Sequence, residues 1–233
     1  MGAVIKAVMF DFSQTLLRCE PTGTWLDAGL ARLGLELPAP ERDALAERLL
    51  VNGAMPGGPE PRQMSAEMQR SWDRRDLTAE SHRAAYEGLT HLSGIPDPAL
   101  ARVLYDLHME PEMWRPYPDA EPTLEELRRR GIPVAVVSNI GWDMRPVFVH
   151  FGLDKLIDVF VLSYEHGVEK PDPALFQVAL DALGSTGPET VMVGDNPSKD
   201  GGATALGCVL HHVAPIPVDE RPDVLAAVLD LLG

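Results

Sequence analysis

The chain has 233 residues, 45% of them hydrophobic and 24% charged, and a formal net charge of −15. That size and balance suit one large globular domain or two small ones and leave no need for disorder. The acidic balance argues against nucleic acid or an anionic membrane as partner, since both are bound through clustered Lys and Arg and the longest basic run is Arg128-Arg129-Arg130.

The apolar stretch Val4 to Phe10 reads as a strand, and it hands over to the polar turn Asp11-Phe-Ser-Gln-Thr15. A carboxylate at the carboxyl end of a strand is where open α/β sheets present ligand-binding and nucleophilic groups. From Leu16 to Arg115 the pattern is helical, with segments at Trp25 to Leu33, Glu41 to Leu50, Ser65 to Trp72, Ala79 to Leu92 and Pro98 to His108, and no strand is expected. The Pro- and Gly-rich run Gly53 to Pro61 is read as a loop. This inserted stretch, residues 16–115, is expected to form a helical subdomain over the strand end that carries Asp11.

Beyond residue 116 helices and short apolar strands alternate. Helices are expected at Glu121 to Arg130, Asp143 to Phe151, Pro173 to Leu183, Lys199 to Leu206 and Pro222 to Leu232. Strands are expected at Ile132 to Val137, Val159 to Leu162, Thr190 to Val193 and Cys208 to Val213. The alternation predicts an α/β fold: a Rossmann-like, mainly parallel sheet covered by helices on both faces. With the first strand it would form a core of residues 1–15 and 116–233. The sequence predicts no signal peptide, no membrane-spanning stretch, and, at Cys19 and Cys208, reduced thiols of a cytoplasmic protein.

Three further polar sites fall at strand ends: Ser138-Asn139, Lys170-Pro171-Asp172, and Gly194-Asp195 followed by Asp200. A nucleophilic carboxylate, a hydroxyl, a lysine and an acidic pair suit phosphoryl transfer through an aspartyl intermediate. Gathering Asp11, Asp195 and Asp200 calls for a cation, and hard oxygen ligands without His or Cys favour Mg²⁺. Arg18 is a candidate anion contact. Trp25, Trp72, Arg74, Arg75, His82, His91 and Trp114 are read mainly as packing or surface, and His211-His212 as a poor metal pair, because adjacent strand residues face opposite ways.

With these four motifs in order, the chain resembles the haloacid dehalogenase-like hydrolase superfamily, with a helical cap inserted after the first motif. The resemblance implies Asp11 as nucleophile and metal ligand, the Ser13 carbonyl as a second ligand, Asp195 as the acidic metal position and Asp200 as the metal-site residue that supports or completes it. It implies Ser138 as a phosphoryl hydrogen bonder, Lys170 as the partner that orients Asp11, and Thr15 as a positioning residue. Asn139 is added because it adjoins Ser138. The expected enzyme is a hydrolase, a Mg²⁺-dependent phosphatase or phosphotransferase acting on a small phosphorylated molecule.

Two positions depart from the family pattern. Family phosphatases carry an acid two residues after the nucleophile, where this chain has Ser13, and Gln14 stands in place of the usual Gly. A positioned acid or base contributes about 10²–10⁴ in rate. Substrates with good leaving groups, a carbon–halogen hydrolase and a catalytically weak binding protein therefore stay open. A phosphonate-cleaving enzyme does not, since it would need a cap lysine and the lysines are Lys6, Lys155, Lys170 and Lys199.

Overall fold

The computed structural model describes residues 4–19, 21–55, 57–62 and 64–232; Pro56, within the predicted loop, lies outside them. In chain order, β1 (Ala7–Phe10) and β2 (Leu17–Cys19) lead into α1 (Thr22–Leu33), α2 (Ala39–Val51) and α3 (Ala66–Trp72). A short 3-10 turn (Arg75–Leu77) precedes α4 (Ala79–Leu92) and α5 (Ala99–His108). There follow β3 (Trp114–Pro116), α6 (Ala120–Arg129), β4 (Val134–Ser138), α7 (Arg145–His150), β5 (Val159–Leu162) and α8 (Ser163–His166). The chain continues through α9 (Pro173–Leu183), β6 (Thr190–Gly194), α10 (Pro197–Asp200), β7 (Val209–His212) and α11 (Ala226–Leu229).

The main sheet has five strands in the order β5-β4-β1-β6-β7, and every neighbouring pair is parallel. β1, β4 and β6 are buried along their whole length, as strands covered on both faces must be. Alternation sorts their side chains: Val8, Phe10, Val134, Val136, Val191 and Val193 join one apolar cluster. Met9, Ala135, Val137 and Met192 join the other, against Leu175, Phe176 and Leu180 of α9. The chain leaves β1 toward β4 and β5 on one side and toward β6 and β7 on the other, so the strand order reverses at β1. Such a reversal opens a crevice at the carboxyl ends of the strands.

The register brings the motifs together. Phe10 pairs with Val136 and with Val193, so Asp11, Ser138 and Asp195 fall at or just past the carboxyl ends of three neighbouring strands.

The short helix α8 is not among the expected elements, and three other elements differ from expectation in ways that shape the site. The segment read as free of strands contains β2, which pairs antiparallel with β3 as a two-stranded ribbon where the helical stretch leaves and rejoins the sheet. Strands of three residues are too short to show an alternating pattern. The helix expected over Lys199 to Leu206 is α10 followed by a 3-10 turn (Gly201–Leu206). The Asn196 side chain caps α10 at the N–H groups of Ser198 and Lys199, and Gly201-Gly202 weakens its continuation. The last helix spans only Ala226–Leu229; the Asp119 carboxylate takes the N–H groups of Val224 and Leu225 just ahead of its start.

No helix among the described residues is long and apolar enough to cross a membrane.

Candidate active site

Asp11 sits one residue past β1, and its N–H still donates to the Val193 carbonyl at 2.8 Å, so the sheet ladder runs to the carboxylate itself. The turn then closes tightly: Leu16 and Leu17 donate to the Phe12 carbonyl at 3.0 and 3.1 Å, and Gln14 donates to Leu17 at 2.7 Å. Gln14 has φ of +66°, the left-handed conformation that glycine adopts without cost. Its side chain offsets that strain by donating to the Gly57 carbonyl at 2.6 Å, tying the turn to the loop between α2 and α3. Gly57 lies so close that a Cβ there would stand 2.5 Å from Ser13 Oγ. Ser13 Oγ is buried beneath this loop without a hydrogen-bond partner among the described residues.

Lys170 stands between two carboxylates. Its Nζ is 2.7 Å from Asp11 Oδ1 and 2.6 Å from Asp200 Oδ1, and it is almost wholly buried. Asp200 uses its other oxygen to accept the Asn196 N–H at 2.9 Å. A Cβ on residue 194 would fall 2.1 Å from Asp200 Oδ2, so the glycine before Asp195 is what lets this carboxylate reach the lysine. Burial raises the Asp11 carboxyl above the ordinary range; Lys170 opposes the shift and Asp200 adds to it. The two carboxylates raise Lys170 against the opposing effect of its burial, so it stays protonated.

Asn139 does other work than its sequence position suggests. Its Oδ1 accepts the Lys170 N–H at 2.7 Å, and its Nδ2 donates to the Lys170 carbonyl at 2.9 Å. The side-chain amide is thus committed to the Lys170 backbone, although Asn139 still lines the cavity. Ser138, the last residue of β4, is buried and lines the same cavity. Thr15 does not: it is fully buried below the turn, with its carbonyl accepting Arg221 Nη1 at 2.8 Å. Arg221 in turn is paired with Asp119 and lies over the Tyr117 ring, a brace under the turn that no local sequence pattern announces.

Asp195 has no ion-pair partner among the described residues. Burial, then the charges of Asp11 and Asp200, raise its carboxyl to about 7. Lys170 alone does not balance three neighbouring carboxylates. The same described residues contain no group of three His, Cys, Asp or Glu side chains set to hold a metal ion. Asp200 is turned to Lys170 and Asn196, which leaves Asp11 and Asp195 as the side-chain oxygens facing the shared space. Hard oxygen donors carrying uncompensated negative charge fit a divalent cation such as Mg²⁺.

The cavity over these groups has a volume of about 160 Å³. Its other wall comes from the helical stretch and its ribbon: Glu60, Trp72, Arg75, Asp76, His82, Tyr86 and Trp114. Trp72, Arg75, His82 and Trp114, read from sequence mainly as packing or surface residues, line this cavity, and so does Asp76, which no sequence motif marks. A second hollow of about 510 Å³ opens on the far side of the Gly57 loop, with Arg18 and Asp195 in its wall.

The sequence profile of the haloacid dehalogenase-like hydrolases matches residues 5–206. The chain belongs to this family. Among curated relatives it is 38% identical over 154 residues to the phosphoserine phosphatase of Thermus thermophilus, covering 64% of this chain and 59% of that one. It is 38% identical over 101 residues to the glyceraldehyde 3-phosphate phosphatase of Methanopyrus kandleri, covering 42% and 43%. The chain thus spans about half the length of these curated relatives. The fold of this haloacid dehalogenase-like hydrolase is shared with solved structures. A HAD phosphatase from Thermococcus onnurineus superposes with a TM-score of 0.61 at 24% identity, covering 98% of both chains. The L-2-haloacid dehalogenase from Xanthobacter autotrophicus gives 0.64 at 22%, covering 97% of this chain and 83% of that one.

Proposed function

We propose that the protein is a Mg²⁺-dependent phosphatase that hydrolyses a small phosphorylated molecule through an aspartyl-phosphate on Asp11. The observation that carries this reading is Asp195, a carboxylate in the wall of the same cavity as Asp11 and Asp200 that has no ion-pair partner among the described residues. A carbon–halogen hydrolase has no use for such an acid, whereas a phosphatase uses it to hold a cation. The phosphatase names of the relatives from Thermus thermophilus and Methanopyrus kandleri support the same class.

Asp11 attacks phosphorus and the ester oxygen departs; water then cleaves the acyl phosphate and frees Asp11. Lys170 holds the attacking carboxylate at Oδ1, and its charge lies beside the incoming phosphoryl group. Ser138 donates its hydroxyl to a phosphoryl oxygen. Asn139 and Asp200 hold Lys170 in place, and Thr15 supports the turn from below. Asp11, Asp195 and the Ser13 carbonyl would hold Mg²⁺, which would supply positive charge beside the phosphoryl oxygens. Residues 1–15 and 116–233 act as the catalytic core and residues 16–115 as a helical cap that excludes water and selects the substrate. A cavity of about 160 Å³ suits a small molecule, and the buried thiols Cys19 and Cys208 suit a reducing cytoplasm.

The test is an assay of purified protein, with and without Mg²⁺, on aryl, acyl and alkyl phosphates and on 2-haloacids. Phosphate release that needs Mg²⁺ and disappears in Asp11→Asn is expected. Halide release without metal, in the absence of phosphate release, would sink the reading.

A further inference from the structure

A proton must reach the leaving oxygen of an alkyl phosphate, and position 13 offers only a hydroxyl shut under the Gly57 loop. The acidic groups around the cavity can be sorted by what already holds them. Lys170 engages Asp11 and Asp200, and Asp195 belongs with the cation in the reading above. Glu60 accepts the Trp72 indole N–H at 2.6 Å, and its side chain is 63% exposed. Tyr86 is pushed up to about 12 by burial, too weak an acid, and His82 is lowered to about 3 by burial, too weak a base.

Asp76 is the carboxylate left over. It is 2% exposed, sits in the 3-10 turn before α4, and lines the cavity with Asp11, Ser138 and Lys170. Its place is set from the core: Ser163 Oγ donates to the Asp76 carbonyl at 2.6 Å and accepts the N–H of Ile140, two residues past Ser138, at 2.9 Å. Its own oxygens have only distant company. Arg75 Nη2 is 3.4 Å from Oδ2 and His82 Nε2 is 3.6 Å from Oδ1, and among the described residues neither approach makes a hydrogen bond. A buried carboxylate so thinly served is costly unless it gains a proton or a donor.

Building on the phosphatase reading, we propose that Asp76, contributed by the helical stretch, is the general acid and base of this enzyme in place of the residue missing at position 13. In the first step Asp11 forms its bond to phosphorus, the phosphorus–oxygen bond to the leaving group breaks, and the Asp76 carboxyl proton passes to the departing oxygen. In the second, the Asp76 carboxylate takes a proton from water as that water attacks phosphorus and the bond to Asp11 breaks. Inorganic phosphate leaves and both carboxyl groups return to their starting states. Burial raises the Asp76 carboxyl against the pull of Arg75, Lys199 and Lys170, in the direction a proton donor needs.

Leaving-group dependence separates this role from a structural one. Wild type, Asp76→Asn and Asp76→Glu are compared on 4-nitrophenyl phosphate, whose phenolate departs unprotonated, and on a panel of alkyl phosphates including O-phosphoserine and glycerol 3-phosphate. Asp76→Asn is expected to lose about 10²–10⁴-fold on the alkyl ester the wild type turns over. It is expected to keep a burst of nitrophenolate near one equivalent per enzyme, with Asp76→Glu recovering part of the alkyl activity. Equal loss on both esters, or no loss on either, overturns the assignment, as does a wild type that cleaves the aryl ester and no alkyl ester. Wild type that releases phosphate from no ester rejects the phosphatase reading and the role of Asp76 with it.

Discussion

Asn139 grips Lys170 by its backbone, accepting from the N–H at 2.7 Å and donating to the carbonyl at 2.9 Å, while the same lysine's Nζ reaches Asp11 at 2.7 Å. Two loops that follow neighbouring strands β4 and β5 are thereby locked to each other. The position of the ammonium beside Asp11 depends on a residue that does not touch it.

Asn139→Ala is therefore expected to act through Lys170. Losing two hydrogen bonds in a partly buried site costs about 1–3 kcal/mol of stability. Turnover should fall by about 10–100-fold through kcat, with KM little changed, since a misplaced charge harms the transition state more than the bound substrate. A variant whose loss lies wholly in KM would show instead that Asn139 contacts substrate.

Lys170→Met leaves Asp11 and Asp200 facing each other without their shared cation. Removing one member of a buried ionic cluster costs about 3–5 kcal/mol, and activity should vanish. The double variant Lys170→Met with Asp200→Asn should regain part of the stability and none of the activity. Thermal denaturation of the two proteins measures the difference, and equal midpoints would reject the charge argument.

How far the sequence announces this site varies with the residue. β1, β4 and β6 are short apolar runs with a polar residue at or just past the carboxyl end, so the convergence of Asp11, Ser138 and Asp195 at one edge follows from the parallel topology, while Lys170 arrives from the segment beyond β5 and α8. The bounds of β5, α4 and α9 match their apolar patterns residue for residue. What escaped is set by contacts between distant segments. Asp76 reaches the cavity because Ser163 holds its carbonyl, and the Asn139 amide is spoken for because Lys170 lies across from it. Arg221 braces the first turn from more than 200 residues away. No local periodicity encodes such pairs.

Ser13 gives a prediction in which the structure alters what sequence alone would suggest. Restoring the family's usual acid by Ser13→Asp looks like a repair, but Gly57 already crowds Ser13 Oγ, and its backbone is held by Gln14. The larger side chain must displace that loop, which costs about 1–3 kcal/mol, and little alkyl phosphatase activity should be gained. Ser13→Ala removes a buried hydroxyl that has no partner among the described residues and should leave the protein as stable or slightly more so. Melting points for both variants decide the matter: a Ser13→Asp protein as stable as wild type would mean the loop yields without cost.

His108 offers a test of stability against pH. It is fully buried among Tyr86, Tyr105, His82 and Trp142, and neither ring nitrogen makes a well-formed hydrogen bond among the described residues. Burial, with His82 nearby, lowers its pKa well below the usual imidazole value. The folded protein therefore keeps this ring neutral at pH values where the unfolded chain protonates it. Its contribution to stability is intact above about 6.5 and is lost at about 1.4 kcal/mol per pH unit below that. His108→Phe removes both the unsatisfied nitrogens and the proton linkage. Relative to wild type it should melt higher by several degrees at pH 7.5, about 1–3 kcal/mol of gain, with the gap widening between pH 6 and 5. The carboxyls of Asp11, Asp76 and Asp195, raised in the folded state, push wild-type stability the opposite way with pH. They are common to both proteins, so the difference between the two curves isolates the histidine. A gap that stays constant from pH 7.5 to 5 would show that His108 takes up its proton in the folded state as readily as in the unfolded one.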